Sequence, residues 1–308
     1  MKIHKLAVGA VLALALAAGS AQAQDLCFGL SASDCAAIAS ATENTLSTVS
    51  SFNQTWSINF RVSGIPDSGD ITFNASGSGP AIIDLASPFP LSFQQTVTAS
   101  FNDGMTSGGG TAGAILKDGI MYIEMAPGQW ASINLLSALE SGEVGGQELP
   151  LDVESLASGG VDPEAALSAL EGFGDLTAIP GFLSYTRMGD TFTFVADVTR
   201  LLRNVNFLTN LSNLAASTGE DGQQLAGIIA LLPRLLDEGK IEVVQDIDSR
   251  ANVVTGISFN VDAAINAAML GGSTTPITIT LRFRVDLSDL NGSFDIQAPA
   301  NATPIEGM

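Results

Sequence analysis

The chain has 308 residues, with 12 Lys and Arg against 32 Asp and Glu, so its formal net charge is −20. Affinity for nucleic acid depends on Lys and Arg displacing counterions from phosphates, and so acidic a surface repels phosphate backbones and anionic membranes. We therefore exclude nucleic-acid binding. The apolar content of 46% argues against a disordered chain.

The first 23 residues have the features of an export signal. Lys2 and Lys5 supply a positive start, residues 6–18 form an apolar stretch too short to span a bilayer, and Ala21-Gln22-Ala23 fits a cleavage site. An uncleaved membrane anchor is the alternative. The residue directly after the cleavage site is Gln24 and not a cysteine that could accept a lipid. We expect an exported protein, secreted or in the periplasm or cell envelope without a lipid anchor, with residues 24–308 forming a single domain.

Loss of the leader removes His4, the only histidine of the chain. Ser-His-Asp and Cys-His arrangements and histidine-based zinc motifs are thereby excluded. Lys117 and Lys240 are the lysines that remain, and neither stands three residues after a serine, which excludes a Ser-x-x-Lys nucleophile. We expect no enzyme and no cofactor. A carboxylate pair of the glycosidase kind is the catalytic alternative that stays open.

The two cysteines, Cys27 and Cys35, stand close together in a chain bound for an oxidising compartment. We expect a local disulfide with a structural role. A metal pair is the alternative, but two thiols without a histidine fall short of the four ligands of a structural zinc site, and no metal is expected. Asp286, Asp289 and Asn291 resemble a calcium loop faintly, and a turn between strands explains the same letters.

In chain order, the first predicted element is an amphipathic helix over 33–49, where Ile38, Leu46 and Val49 recur at helical spacing. The period then becomes two, which is typical of half-buried antiparallel strands. Turns such as Asp118-Gly119 separate these strands, and glycines 108–110 are predicted to form a flexible tip. The predicted strands lie near 54–64, 69–78, 90–101, 111–117, 119–125 and 129–133.

After these strands the alternation stops for about fifty residues, where short helical pieces are predicted. Strands return over 182–197, around a turn at Gly189-Asp190. Two apolar helices follow near 200–216 and 223–236, and Pro233 is expected to kink or end the second one early. The last strands are predicted near 240–248, 253–262, 277–287 and 292–297.

This order of elements predicts the α+β fold class, with a large antiparallel sheet whose one face is covered by a few helices. Residues 117–123 with 127–130, residues 181–185, and residues 285–291 with 296–302 resemble the LolA-like and LppX-like lipoprotein family. The resemblance implies a strongly curved half-barrel that wraps around helices and leaves an apolar cavity for lipid. Many relatives are anchored through a lipid-modified cysteine, and this chain departs from them by lacking one.

Residues of both the sheet and the helices are candidates for lining that cavity. Packing in a solid core explains the same residues, and the cavity interpretation follows from the resemblance and not from the periodicity. Residues 225–232 are apolar nearly all round, more than a helix covering one sheet face needs. The candidates are Trp56, Ile58, Phe60, Phe73, Phe93 and Val97 from the sheet, and Leu201, Leu208, Ile228 and Leu232 from the helices.

The sequence thus favours a lipid-binding carrier that holds an acyl chain or another apolar small molecule and changes no covalent bond. A membrane or an envelope protein would serve as donor or acceptor. The alternative is a non-catalytic interaction or sensor module, in which the same half-barrel is filled and its outer face or edge strands contact a partner.

Overall fold

The computed structural model describes residues 30–65, 69–87, 89–135, 143–144, 147–148, 179–216, 229–270 and 275–305. The helices of this part are α1 (Ala32–Thr48), α2 (Val198–Leu202) and α3 (Val205–Ala216), and residues 229–235 are also helical. The strands are β1 (Ser51–Ser63), β2 (Ile71–Ile83), β3 (Leu91–Asn102), β4 (Ser107–Lys117), β5 (Ile120–Ala126), β6 (Gln129–Asn134), β7 (Glu143–Val144), β8 (Gln147–Glu148), β9 (Leu183–Met188), β10 (Thr191–Asp197), β11 (Leu236–Asp248), β12 (Val253–Ile265), β13 (Ile277–Ser288) and β14 (Ala302–Pro304).

Twelve strands form one sheet in the order β14-β6-β5-β4-β3-β2-β1-β13-β12-β11-β10-β9, and β7 pairs separately with β8. The two edge strands of the large sheet do not pair with each other, so the sheet is open. The predicted α+β class is confirmed. The sheet is mixed, however, because β14 runs parallel to β6 while the other neighbours are antiparallel.

Strand register divides the sheet into an apolar face and a polar face. Ile58 pairs with Phe283 of β13 and with Ala75 of β2, and side chains paired across strands lie on the same face. One residue further, Asn59 pairs with Arg282 on the opposite face. Because side chains alternate along a strand, the same division continues from β1 into β2, β3, β12 and β13.

Helix α1 packs on the apolar face at one end of the sheet, here called the α1 end. Its side chains contact the start of β10, the end of β11 and the start of β12 in a first buried cluster, formed by Ile38, Ala41, Phe192, Ile247 and Val254. A second buried cluster lies where α1 leads into β1, and it consists of Val49, Phe52, Ala81 and Val253. Both buried clusters of the described residues therefore lie at the α1 end.

A buried threonine fixes α1 to β12. Thr45 Oγ1 accepts a hydrogen bond from the Val254 backbone N–H at 2.8 Å and donates one to the Ala41 carbonyl at 2.7 Å. Thr45→Val leaves that buried N–H unpaired, so we expect chemical denaturation to show a loss of about 1–3 kcal/mol. Thr48→Val is the matched control, because Thr48 is exposed and bonds only its own helix. Equal losses in the two variants would contradict this role of Thr45.

The start of α1 carries a carboxylate that links stability to pH. Asp34 accepts hydrogen bonds from Ser31 Oγ at 2.8 Å and from Arg187 Nη1 at 2.6 Å, and these two partners, Ser31 first, hold its pKa below the ordinary value. A carboxyl whose folded pKa is lowered stabilises the fold above its ordinary pKa, and the contribution is lost as pH falls through the folded pKa. We expect Asp34→Asn to lose less thermal stability than the wild type between about pH 5 and about pH 3. An identical acid-induced drop in Tm would contradict this.

Three local predictions were wrong. Glycines 108–110 lie inside strand β4 and not in a tip, because the β3–β4 turn is made by Asp103 to Thr106, where the Asp103 carboxylate accepts the backbone N–H groups of Met105 and Thr106. The helix predicted over 200–216 is broken at Asn204, whose side chain caps α3 by accepting the Phe207 N–H at 3.0 Å. The helix that contains Pro233 ends at residue 235, two residues after the proline, as expected, and the next residue, Leu236, belongs to β11.

The third wrong prediction is the strand over residues 292–297, which form no strand. This segment instead crosses the polar face at the α1 end: Ser51 Oγ donates to the Gly292 carbonyl and Lys117 Nζ donates to the Ile296 carbonyl. It then reaches β6 as strand β14. The preceding Asp-Asn pattern is a turn, because Asp289 and Asn291 have positive φ and Asn291 Oδ1 accepts the Ser50 N–H at 2.8 Å.

The export signal, Cys27 and Ile228 lie outside the described residues. Cys35 lies in the first turns of α1. The disulfide between Cys27 and Cys35 therefore stays a prediction.

Candidate functional site

The apolar face contains all six sheet residues that the sequence nominated for a cavity. Trp56, Ile58 and Phe60 alternate along β1, and Phe73 of β2 is the cross-strand partner of Phe60. Val97 lies in β3 opposite Gly77, the partner of Trp56. Phe93 also belongs to this face, but it packs against the second buried cluster at the α1 end.

The centre of this face is not packed as a closed core. Its large side chains are half-buried, and none of them belongs to the two buried clusters of the described residues. Packed interiors bury such side chains almost completely, so part of the surface of these residues remains accessible. We define the central apolar face by these half-buried residues, which are Ile58, Phe60, Val243, Phe259, Val261, Leu281, Phe283 and Val285.

Toward β4 the apolar face changes from large to small side chains. Ile58 is followed across the sheet by Ala75 of β2, Ala99 of β3 and Gly110 of β4. These small residues extend less far from the strands than a row of large residues would, and Ala75 and Gly77 are themselves buried. We call this region the small-residue trough, formed by Ala75, Gly77, Ala99, Gly110, Ala112 and Ala114.

Three of the four helical candidates lie within the described residues. Leu201 in α2, Leu208 in α3 and Leu232 in the helix at 229–235 are all half-buried. Helix α2 packs against β11, where the Gly239 N–H donates to Thr199 Oγ1 at 2.7 Å. These helices therefore stand at the end of the sheet opposite to α1. That their leucines line a cavity stays a prediction.

Charged groups of the central strands lie on the polar face. Arg284 donates to Asp286 at 2.6 Å and to Asp246 at 3.1 Å, and the Asp286 hydrogen bond is the main reason that the Arg284 pKa is raised. Hydrogen bonding by Asn260, then by Lys240, keeps the Glu242 pKa low. By register, β1 to β4, β12 and β13 place no Lys, Arg, Asp or Glu on the apolar face.

Arg187 is the charged residue of this face on the edge strand β9, and it is already engaged. Its guanidinium lies 4.9 Å from the centre of the Phe192 ring and donates to Asp34. Burial, followed by the nearby Asp34 charge, raises the pKa of the neighbouring Tyr185 to about 12, so this phenol stays neutral. The cluster fixes the edge strand to α1 and lies away from the central apolar face.

Sequence analysis missed three glutamines on the apolar face. Gln54, Gln95 and Gln245 stand in phase with the apolar residues of β1, β3 and β11. Gln95 and Gln245 are buried, with 7% and 6% of their surface exposed, and Gln54 is half-buried. An amide at an apolar position of an alternating strand was the signal that would have found them.

One corner of the apolar face is open to solvent. Phe73 and Phe101 pair across β2 and β3 and remain 42% and 49% exposed. Met105 in the adjoining turn and Met125 at the end of β5 are more exposed still. This corner lies at the end of the sheet opposite to α1 and continues the apolar face to the surface.

Over the described ranges, His, Cys, Asp and Glu form no group of three suited to a metal ion. No helix of that part of the chain is both long and apolar enough to cross a bilayer.

No family model and no curated protein matches the chain. Among solved structures, LprF from Mycobacterium bovis aligns with 85% of this chain and 94% of its own at 9% identity and a TM-score of 0.30. A structure of lipid-protein interactions in lipovitellin aligns with 83% of this chain and 27% of its own, at 7% identity and a TM-score of 0.30. A putative AttH from Nitrosomonas europaea aligns with 77% and 50%, at 7% identity and a TM-score of 0.17. Such low TM-scores support no conclusion about function, and family membership stays a prediction.

Proposed function

We propose that this protein is an exported carrier that holds an apolar ligand, such as an acyl chain, against the central apolar face and the small-residue trough. The half-burial of the central apolar face is the observation that carries the proposal. A continuous apolar surface that is neither packed nor fully exposed is typical of ligand-binding grooves. The protein makes and breaks no bond in this function.

Hydrophobic burial supplies the driving force. Each buried CH₂ contributes about 0.8 kcal/mol, so a sixteen-carbon chain gains on the order of 10 kcal/mol. This gain offsets most of the range of about 4–15 kcal/mol that association costs. Placing the charges of the central strands on the polar face keeps this surface compatible with a hydrocarbon chain.

Phe73 and Phe101 are the natural opening for the ligand, because the apolar face reaches solvent at their corner. A donor or acceptor in the cell envelope would contact the protein there. With a formal net charge of −20, the chain is not expected to use anionic membrane surfaces for this contact.

The test combines a neutral fluorescent probe with the contents of the purified protein. N-phenylnaphthylamine is expected to bind saturably with enhanced emission, and native mass spectrometry with organic extraction is expected to show a co-purified lipid. The probe carries no charge, so binding reports the apolar surface alone. Absence of both signals would refute the carrier function.

A non-catalytic interaction module is the second candidate, and the exposure of Phe73, Phe101 and Met105 favours it. Exposed apolar patches on monomers mark contact sites. This candidate predicts that Phe101→Ser abolishes the probe signal, because the probe would occupy the surface patch. The carrier predicts that Phe101→Ser leaves saturable binding in place.

A further inference from the structure

We infer that the ligand of this groove is a neutral amphiphile with a carbonyl or similar acceptor oxygen, which the Gln95 side-chain amide binds as hydrogen-bond donor. The inference rests on the proposed function and specifies its ligand class. A plain hydrocarbon offers no acceptor to the Gln95 amide, and an anionic head would find no positive charge on the central strands of this face.

Gln95 lies within the apolar face, next to the small-residue trough. Its cross-strand partner in β4 is Ala114, and only 7% of its surface is exposed. A glutamine at such a position costs free energy unless its amide groups are hydrogen-bonded. Because Gln95 lies on the apolar face, both its amide oxygen and its amide nitrogen need hydrogen-bond partners.

Within the described part of the chain, the oxygen of this amide has a hydrogen-bond partner and the nitrogen has none. The Trp56 indole Nε1–H donates to Gln95 Oε1 at 2.7 Å, which fixes the amide orientation because the indole can only donate. The Trp56 ring lies over Gly77, where an added Cβ would come within 2.5 Å of Nε1. The indole and the amide are thus held as a unit on the floor of the groove.

The amide nitrogen is left with two unused donors. Among the described residues, Gln95 Nε2 has no hydrogen-bond partner. The side-chain atom of these residues that is both unpaired and fully enclosed is Tyr185 Oη, so Nε2 is not fully enclosed. Gln95 Nε2 therefore still touches accessible space. Since the residue is buried among apolar side chains, that space is the groove.

A second amide lies on the same face, in strand β1. Gln54 of β1 pairs with Gly79 of β2, and Gly79 lies against the backbone of Gln95. In the described part of the chain Gln54 also has no hydrogen-bond partner for its side chain. Gly79, which lies between Gln54 and the Gln95 backbone, has no side chain, and the two amides together would offer donors and an acceptor to one ligand head.

The surroundings favour a neutral head. The central strands place no Lys or Arg on this face, so a carboxylate or phosphate there would lack a counter-charge. A carbonyl oxygen of an ester or amide needs only a neutral donor, which Gln95 Nε2 provides. The amide pair thus fixes the polar end of the ligand, and the trough and the central apolar face receive its chain.

The test compares methyl laurate with pentadecane, which have the same number of heavy atoms, as competitors for bound N-phenylnaphthylamine. Gln95→Met removes the donors at nearly constant shape. Gln94→Met is the matched control, because Gln94 is the next residue on the same strand but is exposed on the polar face. Since the readout is the ester-to-alkane affinity ratio within one variant, general loosening of the groove cancels.

We expect Gln95→Met to lower the ester-to-alkane ratio about three- to tenfold, the effect of one lost hydrogen bond, while Gln94→Met leaves it unchanged. Laurate at neutral pH is expected to compete less well than methyl laurate. An unchanged ratio in Gln95→Met, with both compounds still binding, would overturn this inference and leave the carrier function standing. Failure of both compounds to bind the wild type would refute the carrier function itself.

Discussion

Ala99→Phe is expected to lower the affinity for N-phenylnaphthylamine about tenfold or more without lowering Tm. Ala99 lies in the small-residue trough between Ala75 and Gly110, so a phenyl ring there occupies the space proposed for the ligand. In an accessible groove the ring meets no neighbouring side chains. In a filled core, the same ring would overpack the interior at a cost of about 1–3 kcal/mol.

Ser100→Phe is the control for this prediction. Ser100 is the next residue of β3, points to the polar face and is exposed, so its replacement adds the same ring outside the groove. We expect unchanged probe affinity in a titration followed by fluorescence, with Tm measured in parallel. A drop in Tm for Ala99→Phe together with unchanged probe binding would show that the trough is filled by the chain itself.

Phe192→Ala and Phe283→Ala are expected to separate stability from binding. Phe192 is 2% exposed in the first buried cluster, where it packs against Ile38 and Ala41 of α1. Its truncation leaves a cavity, so we expect a loss of about 3–5 kcal/mol in denaturant unfolding. Probe affinity should change little, because the first buried cluster is closed to the groove.

Phe283 lies on the same face but is half-buried in its centre. Less of its surface leaves water on folding, and we expect a smaller stability loss of about 1–2 kcal/mol. Probe affinity should fall about fivefold or more, because the ring is part of the proposed binding surface. Equal losses of stability for the two variants would indicate that both rings belong to one packed core.

The sheet and its faces were predictable from the sequence because a strand imposes a strict period of two. Trp56, Ile58 and Phe60 share a face for that reason alone, and neighbours across strands follow once the register is known. Period and turn chemistry also located most strands between residues 51 and 134. Period and turn chemistry do not show which strands far apart in sequence pair with each other, as β1 and β13 do at Ile58 and Phe283.

The wrong predictions have local physical causes. Three successive glycines are typical of a loop, but these lie in β4, where a Cβ at Gly108 would meet the Phe101 ring and a Cβ at Gly109 the Ala99 carbonyl oxygen. Asn204 competes for backbone N–H groups and so divides an apolar stretch into two helices. The segment 292–297 alternates like a strand, yet two of its carbonyl groups accept hydrogen bonds from the Ser51 and Lys117 side chains and not from a neighbouring strand.

The candidate site was predictable only in part. The six sheet residues could be assigned to one face, but half-burial of that face depends on how far the helices extend over it, which no local pattern encodes. The sequence shows Gln95 as a polar residue at a position of β3 where the alternation predicts an apolar one. Its significance became clear only with the Trp56 contact, which joins residues 39 positions apart.

Quenching of tryptophan fluorescence by dibromostearic acid methyl ester tests directly whether ligand lies on the apolar face. The chain has two tryptophans: Trp56 is on that face, whereas Trp130 packs over Gly113, whose partner Thr96 belongs to the polar face. Bromine quenches only on close approach. We predict saturable quenching in Trp130→Phe, which retains Trp56, and none in Trp56→Phe, which retains Trp130. Equal quenching of the two variants, or quenching of Trp130 alone, would contradict a ligand site on the apolar face.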